Sequence, residues 1–136
     1  MQYCYLCGQT PNTPSRRRFR DSAYILDGQF IDFFTEAYLG AGVVLPSPDF
    51  RICPLSAASH RGLPPHTIIA AELDPLCDEA ALYVTKLVEA GVEASLHCFQ
   101  NTVHGFFCFH YLPEAKAARK LAVSAFTAPD GRAGAE

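Results

Sequence analysis

His66-Thr67-Ile68-Ile69-Ala70-Ala71-Glu72-Leu73-Asp74-Pro75-Leu76-Cys77-Asp78-Glu79 is where the chain changes its hydrophobic period. The first six residues are a β-branched and apolar run of the kind that forms a buried strand. Pro75 suits the first position of a helix, which makes Asp74 the predicted N-cap. That helix carries Leu76, Ala80, Tyr83, Val84 and Leu87 on one face and stops at Gly91, a residue suited to the C-terminal cap. Val92 to Phe99 resumes as a strand, and Asn101 to Phe106 follows as a loop. Strand, helix, strand in that order predicts two parallel strands joined by a right-handed crossover. Asp74 and His104 then lie beyond the carboxyl ends of neighbouring strands, where open parallel sheets place their chemistry. A carboxylate and an imidazole at one rim form the orienting and proton-transfer half of a hydrolytic triad. From the residues alone, a pure capping role for Asp74 stays open. Asp78, one turn into the helix, is expected to hydrogen-bond locally or support the turn.

Working outward, Asp27 is the predicted cap of a helix from about Gly28 to Leu39. Phe30, Phe33, Phe34, Ala37 and Tyr38 give it a wide apolar stripe, which reads as a core-facing surface. Gly40 to Leu63 is a long connection rich in proline, a length typical of a functional rim. Further upstream, Gln2 to Leu6 reads as a short aromatic strand and Gly8 to Ser15 as a loop. Arg16-Arg17-Arg18 and Arg20 form the only basic cluster and read as a solvated loop. Past His104, a helix from about Glu114 to Phe126 is expected to turn Ala118, Leu121, Ala122 and Phe126 toward the sheet. His60, His66, His97 and His110 have no motif around them and read as surface or packing residues.

Composition narrows the classes of function. A chain of 136 residues, 49% hydrophobic, can bury a real core as one domain. A net charge of −3 gives no electrostatic reason to expect nucleic acid or an anionic membrane as a partner. No run approaches the ~20 apolar residues that span a bilayer. Met1 to Leu6 has neither a basic start nor a long apolar core, so no signal peptide is expected and the location reads as cytoplasmic. Six cysteines (Cys4, Cys7, Cys53, Cys77, Cys98 and Cys108) lie in apolar segments and read as reduced, buried thiols. Cys4-Tyr5-Leu6-Cys7 has the spacing of half a zinc site, but no second pair follows, so the two read as strand residues. No metal or other cofactor is expected.

Gly62-Leu63-Pro64-Pro65, Asp74-Pro75-Leu76-Cys77-Asp78-Glu79, Gly91-Val92 and His104-Gly105-Phe106, in that order, resemble the C-terminal third of an α/β-hydrolase. The branch they resemble most is the hormone-sensitive-lipase-like esterases, the α/β-hydrolase fold-3 group. Cys53-Pro54-Leu55 resembles that group's Ser-Pro-Leu step, with Cys53 in place of the usual serine. The resemblance runs from about Ser15 to Tyr111. It implies that Asp74 is the triad acid and His104 the base. It also implies that the helix at 28–39 lies over the active site, and that the substrate of the complete enzyme is a small-molecule ester.

The resemblance further implies an α/β fold of about three parallel strands with flanking helices, truncated before the nucleophile elbow. A partial domain is expected over 1–127. Within it, 15–64 holds the helix and rim or cap connection, and 66–111 holds the acid and base motifs; 128–136 is a flexible tail. The serines all lack the flanking glycines of a Gly-x-Ser-x-Gly elbow, and a His-Gly-Gly-Gly oxyanion loop is likewise missing. A carboxylic-ester hydrolase by descent is therefore expected, with little or no activity of this chain alone. The alternative is an inactive remnant serving as a binding or assembly module. Gln2 to Leu6 would leave one sheet edge unpaired, which predicts self-association there.

Overall fold

The computed structural model describes residues 12–42 and 49–127. The strand expected at Gln2 to Leu6, the edge it would leave and the tail at 128–136 lie outside the described residues. The chain divides into two compact units, one ending at His104 and the other beginning at Gly105.

The first unit contains the predicted strand–helix–strand. Strand β1 is His66–Leu73, helix α3 is Cys77–Glu89, and strand β2 is Ala94–Val103. The strands pair in parallel, as the crossover requires. Leu76, Ala80 and Leu87 bury the inner face of α3, with Leu87 fully inaccessible at 0%. Burying a leucine of this kind stabilises a fold by roughly 2–3 kcal/mol. Helix α3 ends as its sequence predicts. Gly91 takes the left-handed conformation at φ 77°, its N–H reaches Val88 C=O at 2.9 Å, and the Val92 N–H reaches Leu87 C=O at 2.9 Å. That pair of bonds satisfies the carbonyls that a helix end leaves open.

The start of α3 differs from expectation. The helix begins at Cys77, with Leu76 rather than Asp74 at the cap position. The Asp74 carboxylate instead accepts the Leu76 N–H at 2.8 Å, two residues on, so it holds a turn that precedes the helix.

Strand β2 also runs further than expected, to Val103, because its register shifts. Ala71 pairs with Phe99 but Leu73 pairs with Val103, so β2 uses four residues where β1 uses two. Asn101 sits in the extra turn at φ 56°, the only described residue other than glycine with positive φ. Its N–H donates to Glu72 Oε2 at 2.8 Å.

Among the described residues, two α-helices precede the sheet in sequence. Pro14–Arg18 forms a short helix, α1, where a loop was expected, with the Thr13 hydroxyl capping the Arg16 N–H at 3.3 Å. The expectation of a solvated basic loop is also corrected at Arg16. Its Nε donates to Glu79 Oε1 at 2.5 Å, and Glu79 is only 4% exposed. Helix α2 spans Gly28–Leu39 as predicted, with Asp27 accepting the Phe30 N–H at 2.9 Å. Its apolar stripe does not face a core, however. Phe30, Phe33, Phe34 and Tyr38 are exposed, Tyr38 at 73%, and Ile31 alone is buried, in a cluster with Leu26 and Leu76. A helical period states which residues share a face and not what covers that face.

In the connection before β1, Cys53 and Leu55 are buried with Tyr83 packed against them. Cys53 is disulfide-bonded, which corrects the expectation of a reduced thiol there. His60 is a packing residue, as expected. Its Nε2 donates to Pro54 C=O at 3.0 Å and its ring meets Tyr83 edge to face.

Among its described residues, the second unit holds a 3-10 turn at Phe106–Cys108 and helix α4, Pro113–Thr127. The Arg119 guanidinium donates to Phe107 C=O at 2.6 Å. Ala115 and Ala118 are buried, whereas Phe126, expected to face inward, is exposed. No helix among the described residues is long and apolar enough to cross a membrane.

Candidate active site

Asp74 and His104 each follow directly on the last paired residues of their strands, Leu73 and Val103. The register shift at Asn101 is what makes them neighbours. In the register of the earlier pairs, the residue opposite Asp74 would be Thr102. The two extra residues carry His104 to that place instead, and Gly105, in the left-handed conformation at φ 74°, turns the chain away immediately afterwards.

The side chains meet. His104 Nδ1 lies 2.8 Å from Asp74 Oδ2. An ionised carboxylate only accepts, so Nδ1 carries the hydrogen and donates it, which leaves Nε2 with its lone pair. Among the described residues, Nε2 has no hydrogen-bond partner. Asp74 is 8% exposed as a residue, and the His104 side chain 37%, so the acid is enclosed while the ring reaches solvent. Both carboxylate oxygens of Asp74 are engaged, Oδ1 by the Leu76 N–H and Oδ2 by His104. This fixes the carboxylate plane against the ring.

Support for the turn comes from α1, sixty residues away in sequence. Asp78 Oδ2 accepts the Ser15 N–H at 2.7 Å, and the Asp78 N–H donates to Ser15 Oγ at 3.2 Å. Ser15 Oγ in turn donates to Pro75 C=O at 2.8 Å, the residue next to Asp74. Asp78 therefore supports the turn, as expected, but through a distant serine rather than a local bond. Sequence reasoning missed Ser15, Arg16 and Glu79 as supporting residues. The signal was present as a Thr-Pro-Ser-Arg start and an Asp-Glu pair, but nothing local linked the two segments.

With Nδ1 engaged by Asp74, Nε2, through its lone pair, is the atom that can take a proton from a hydroxyl. No described serine bonds to it. Among the described residues, no group of three His, Cys, Asp or Glu side chains is arranged to hold a metal ion.

A family model for the alpha/beta hydrolase fold matches residues 2–108. An ethyl acetate hydrolase of Pseudomonas putida is 32% identical over 93 residues, covering 68% of this chain and 28% of that protein. A carboxylesterase of Mycobacterium tuberculosis, NlhH, is 36% identical over 99 residues, covering 70% of this chain and 30% of that protein. The crystal structure of a thermostable carboxylesterase cloned from a metagenomic library, EstE1, aligns with a TM-score of 0.72 at 31% identity. That alignment covers 83% of this chain and 38% of EstE1. The chain thus spans under a third of the length of these two curated relatives.

Proposed function

Because the chain belongs to the α/β-hydrolase fold family, we propose that Asp74 and His104 are the acid and base of a carboxylic-ester hydrolase. The observation that carries this reading is the 2.8 Å hydrogen bond between His104 Nδ1 and Asp74 Oδ2 at the rim of a parallel sheet. In that chemistry, Nε2 takes the proton of a serine hydroxyl as its oxygen attacks the ester carbonyl, and later gives the proton to the departing alkoxide. The enclosed carboxylate keeps the ring in the tautomer that leaves Nε2 free, and stabilises the imidazolium that forms.

The 136 residues contain no Gly-x-Ser-x-Gly and no His-Gly-Gly-Gly sequence. The nucleophile and the oxyanion donors would therefore come from outside these residues. A carboxylate–imidazole pair without them lacks the covalent route and the largest electrostatic contribution. Little or no esterase activity is proposed for this chain alone. The substrate class is a small carboxylic ester, for which the ethyl acetate hydrolase suggests short acyl chains as first probes. The reaction as written uses no cofactor, and a cytoplasmic setting is proposed with it.

The experiment is a fusion of this chain to the upstream portion of EstE1, which is similar in fold over the shared region. The fusion is expected to hydrolyse short p-nitrophenyl esters, and the isolated chain to remain at background. In the fusion, Asp74→Asn should lower kcat by about 10⁴ and His104→Ala by a similar factor. A folded, active fusion indifferent to both substitutions would overturn the assignment.

A second reading, a non-catalytic binding or assembly module, is favoured by the exposed aromatic face of α2. On that reading the isolated chain self-associates or holds a partner, which size-exclusion chromatography with light scattering would detect. A well-behaved monomer would count against it.

A further inference from the structure

The thiols of Cys77 and Cys98 have no role in the chemistry above. They lie 21 residues apart in sequence, one opening α3 and the other on β2, opposite Ala70 of β1. Their sulfur atoms are 3.7 Å apart, van der Waals contact for two thiols. Both are free thiols; Cys98 is exposed and Cys77 half-buried. A disulfide needs the sulfurs at ~2.05 Å, so bonding requires the two, already in contact, to close the remaining gap.

We propose that Cys77 and Cys98 form an oxidisable dithiol, a modification site whose co-substrate is hydrogen peroxide, and that its disulfide staples the first turn of α3 to β2. Cys98 is the entry point, since it is the thiol that solvent reaches. Its thiolate attacks the peroxide; an S–O bond forms, the O–O bond breaks, and hydroxide leaves to be protonated to water. Cys98 is then a sulfenic acid. The Cys77 sulfur attacks the Cys98 sulfur, the S–S bond forms, the S–O bond breaks, and the Cys77 proton leaves with the departing oxygen as a second water. Two thiols and one peroxide thus give one disulfide and two waters, the sulfurs supplying both electrons.

The division of roles has an electrostatic basis. Burial, the contact with Cys98 and the nearby carboxylates of Asp78 and Asp74 push the Cys77 thiol up to about 12. Cys98, the exposed sulfur, is therefore oxidised first, and Cys77, less accessible, acts second on its oxidised neighbour. The position gives the staple a consequence for the turn. The Cys77 N–H donates to Asp74 C=O at 3.1 Å, so a bond that ties Cys77 to β2 restrains the turn carrying Asp74.

The test treats the folded chain with stoichiometric hydrogen peroxide, alkylates remaining thiols, and maps the peptides by mass spectrometry. A Cys77–Cys98 cross-link lighter by two hydrogen atoms is expected, with Cys108 still alkylated. The treated chain should melt at a higher temperature than the untreated one, and this rise should vanish equally in Cys77→Ser and Cys98→Ser. Three results would overturn the proposal: Cys98 accumulating as sulfinic acid while Cys77 stays alkylatable, Cys98 pairing with another cysteine, or the same link forming as readily in urea. A cross-link without any rise in melting temperature would overturn the stapling role.

Discussion

The turn after β1 and the outer face of α2 lie in one compact unit, yet they invert the usual rule of burial. At the turn, polar groups are enclosed and matched: Asp74 with His104 and the Leu76 N–H, Asp78 with Ser15, Glu79 with Arg16. On α2, the large aromatic side chains lie in solvent. An enclosed charge persists only where partners compensate its lost hydration, so the turn is specified group by group. The α2 face is specified only as a face. The difference teaches where this molecule is sensitive to single substitutions and where it is not.

The largest expected contrast is in packing. Leu87→Ala empties a fully enclosed position on α3 and should destabilise by about 2–5 kcal/mol in urea unfolding. Phe33→Ala removes a larger side chain, but one 63% exposed, and should cost less than about 0.5 kcal/mol. Equal losses would show that the α2 face is covered in solution and would break the comparison.

Next comes the polar support. Ser15→Ala removes the hydroxyl that bonds Pro75 C=O and receives the Asp78 N–H, an expected cost of about 1–2 kcal/mol. The same urea titration reads it. A neutral Ser15→Ala would mean that α1 does not brace the turn.

The smallest effect belongs to a surface pair. The Arg51 guanidinium bonds Asp49 and holds its carboxyl down at about 2. A lowered carboxyl contributes stability above its ordinary range of about 4, and loses that contribution as pH falls toward 2. Arg51 is largely exposed, so solvent screens the pair to almost nothing. Asp49→Asn should leave the melting temperature at pH 7 unchanged, and any slight difference should disappear near pH 2. A shift as large as that of Ser15→Ala would place the pair among the structural supports.

Much of the strand–helix–strand was legible because its signals are local. The period of β1, Pro75 at the turn, the stripe of α3 and the glycine at 91 each act within a few residues. Helix α2 was legible for the same reason, down to its Asp27 cap. The exposure of its aromatic face was not, since that depends on what packs there. The register shift at Asn101 was also hidden, because a residue in the left-handed conformation inside a strand leaves no mark on the hydrophobic pattern. Asp74 and His104 could be named as candidates from their positions after two strands. That they would be opposite each other depended on those two extra residues of β2. The bracing by Ser15 and Arg16 joins segments more than sixty residues apart, a distance no local pattern spans.

The central claim is that this register delivers an imidazole whose Nδ1–H is held by the Asp74 carboxylate. A long-range ¹H–¹⁵N NMR correlation of the His104 ring, recorded where the ring is neutral, reads the tautomer directly. The account predicts the Nδ1–H form in the native chain and a marked shift of population toward Nε2–H in Asp74→Asn. A His104 ring whose tautomer is the same in both proteins would contradict it.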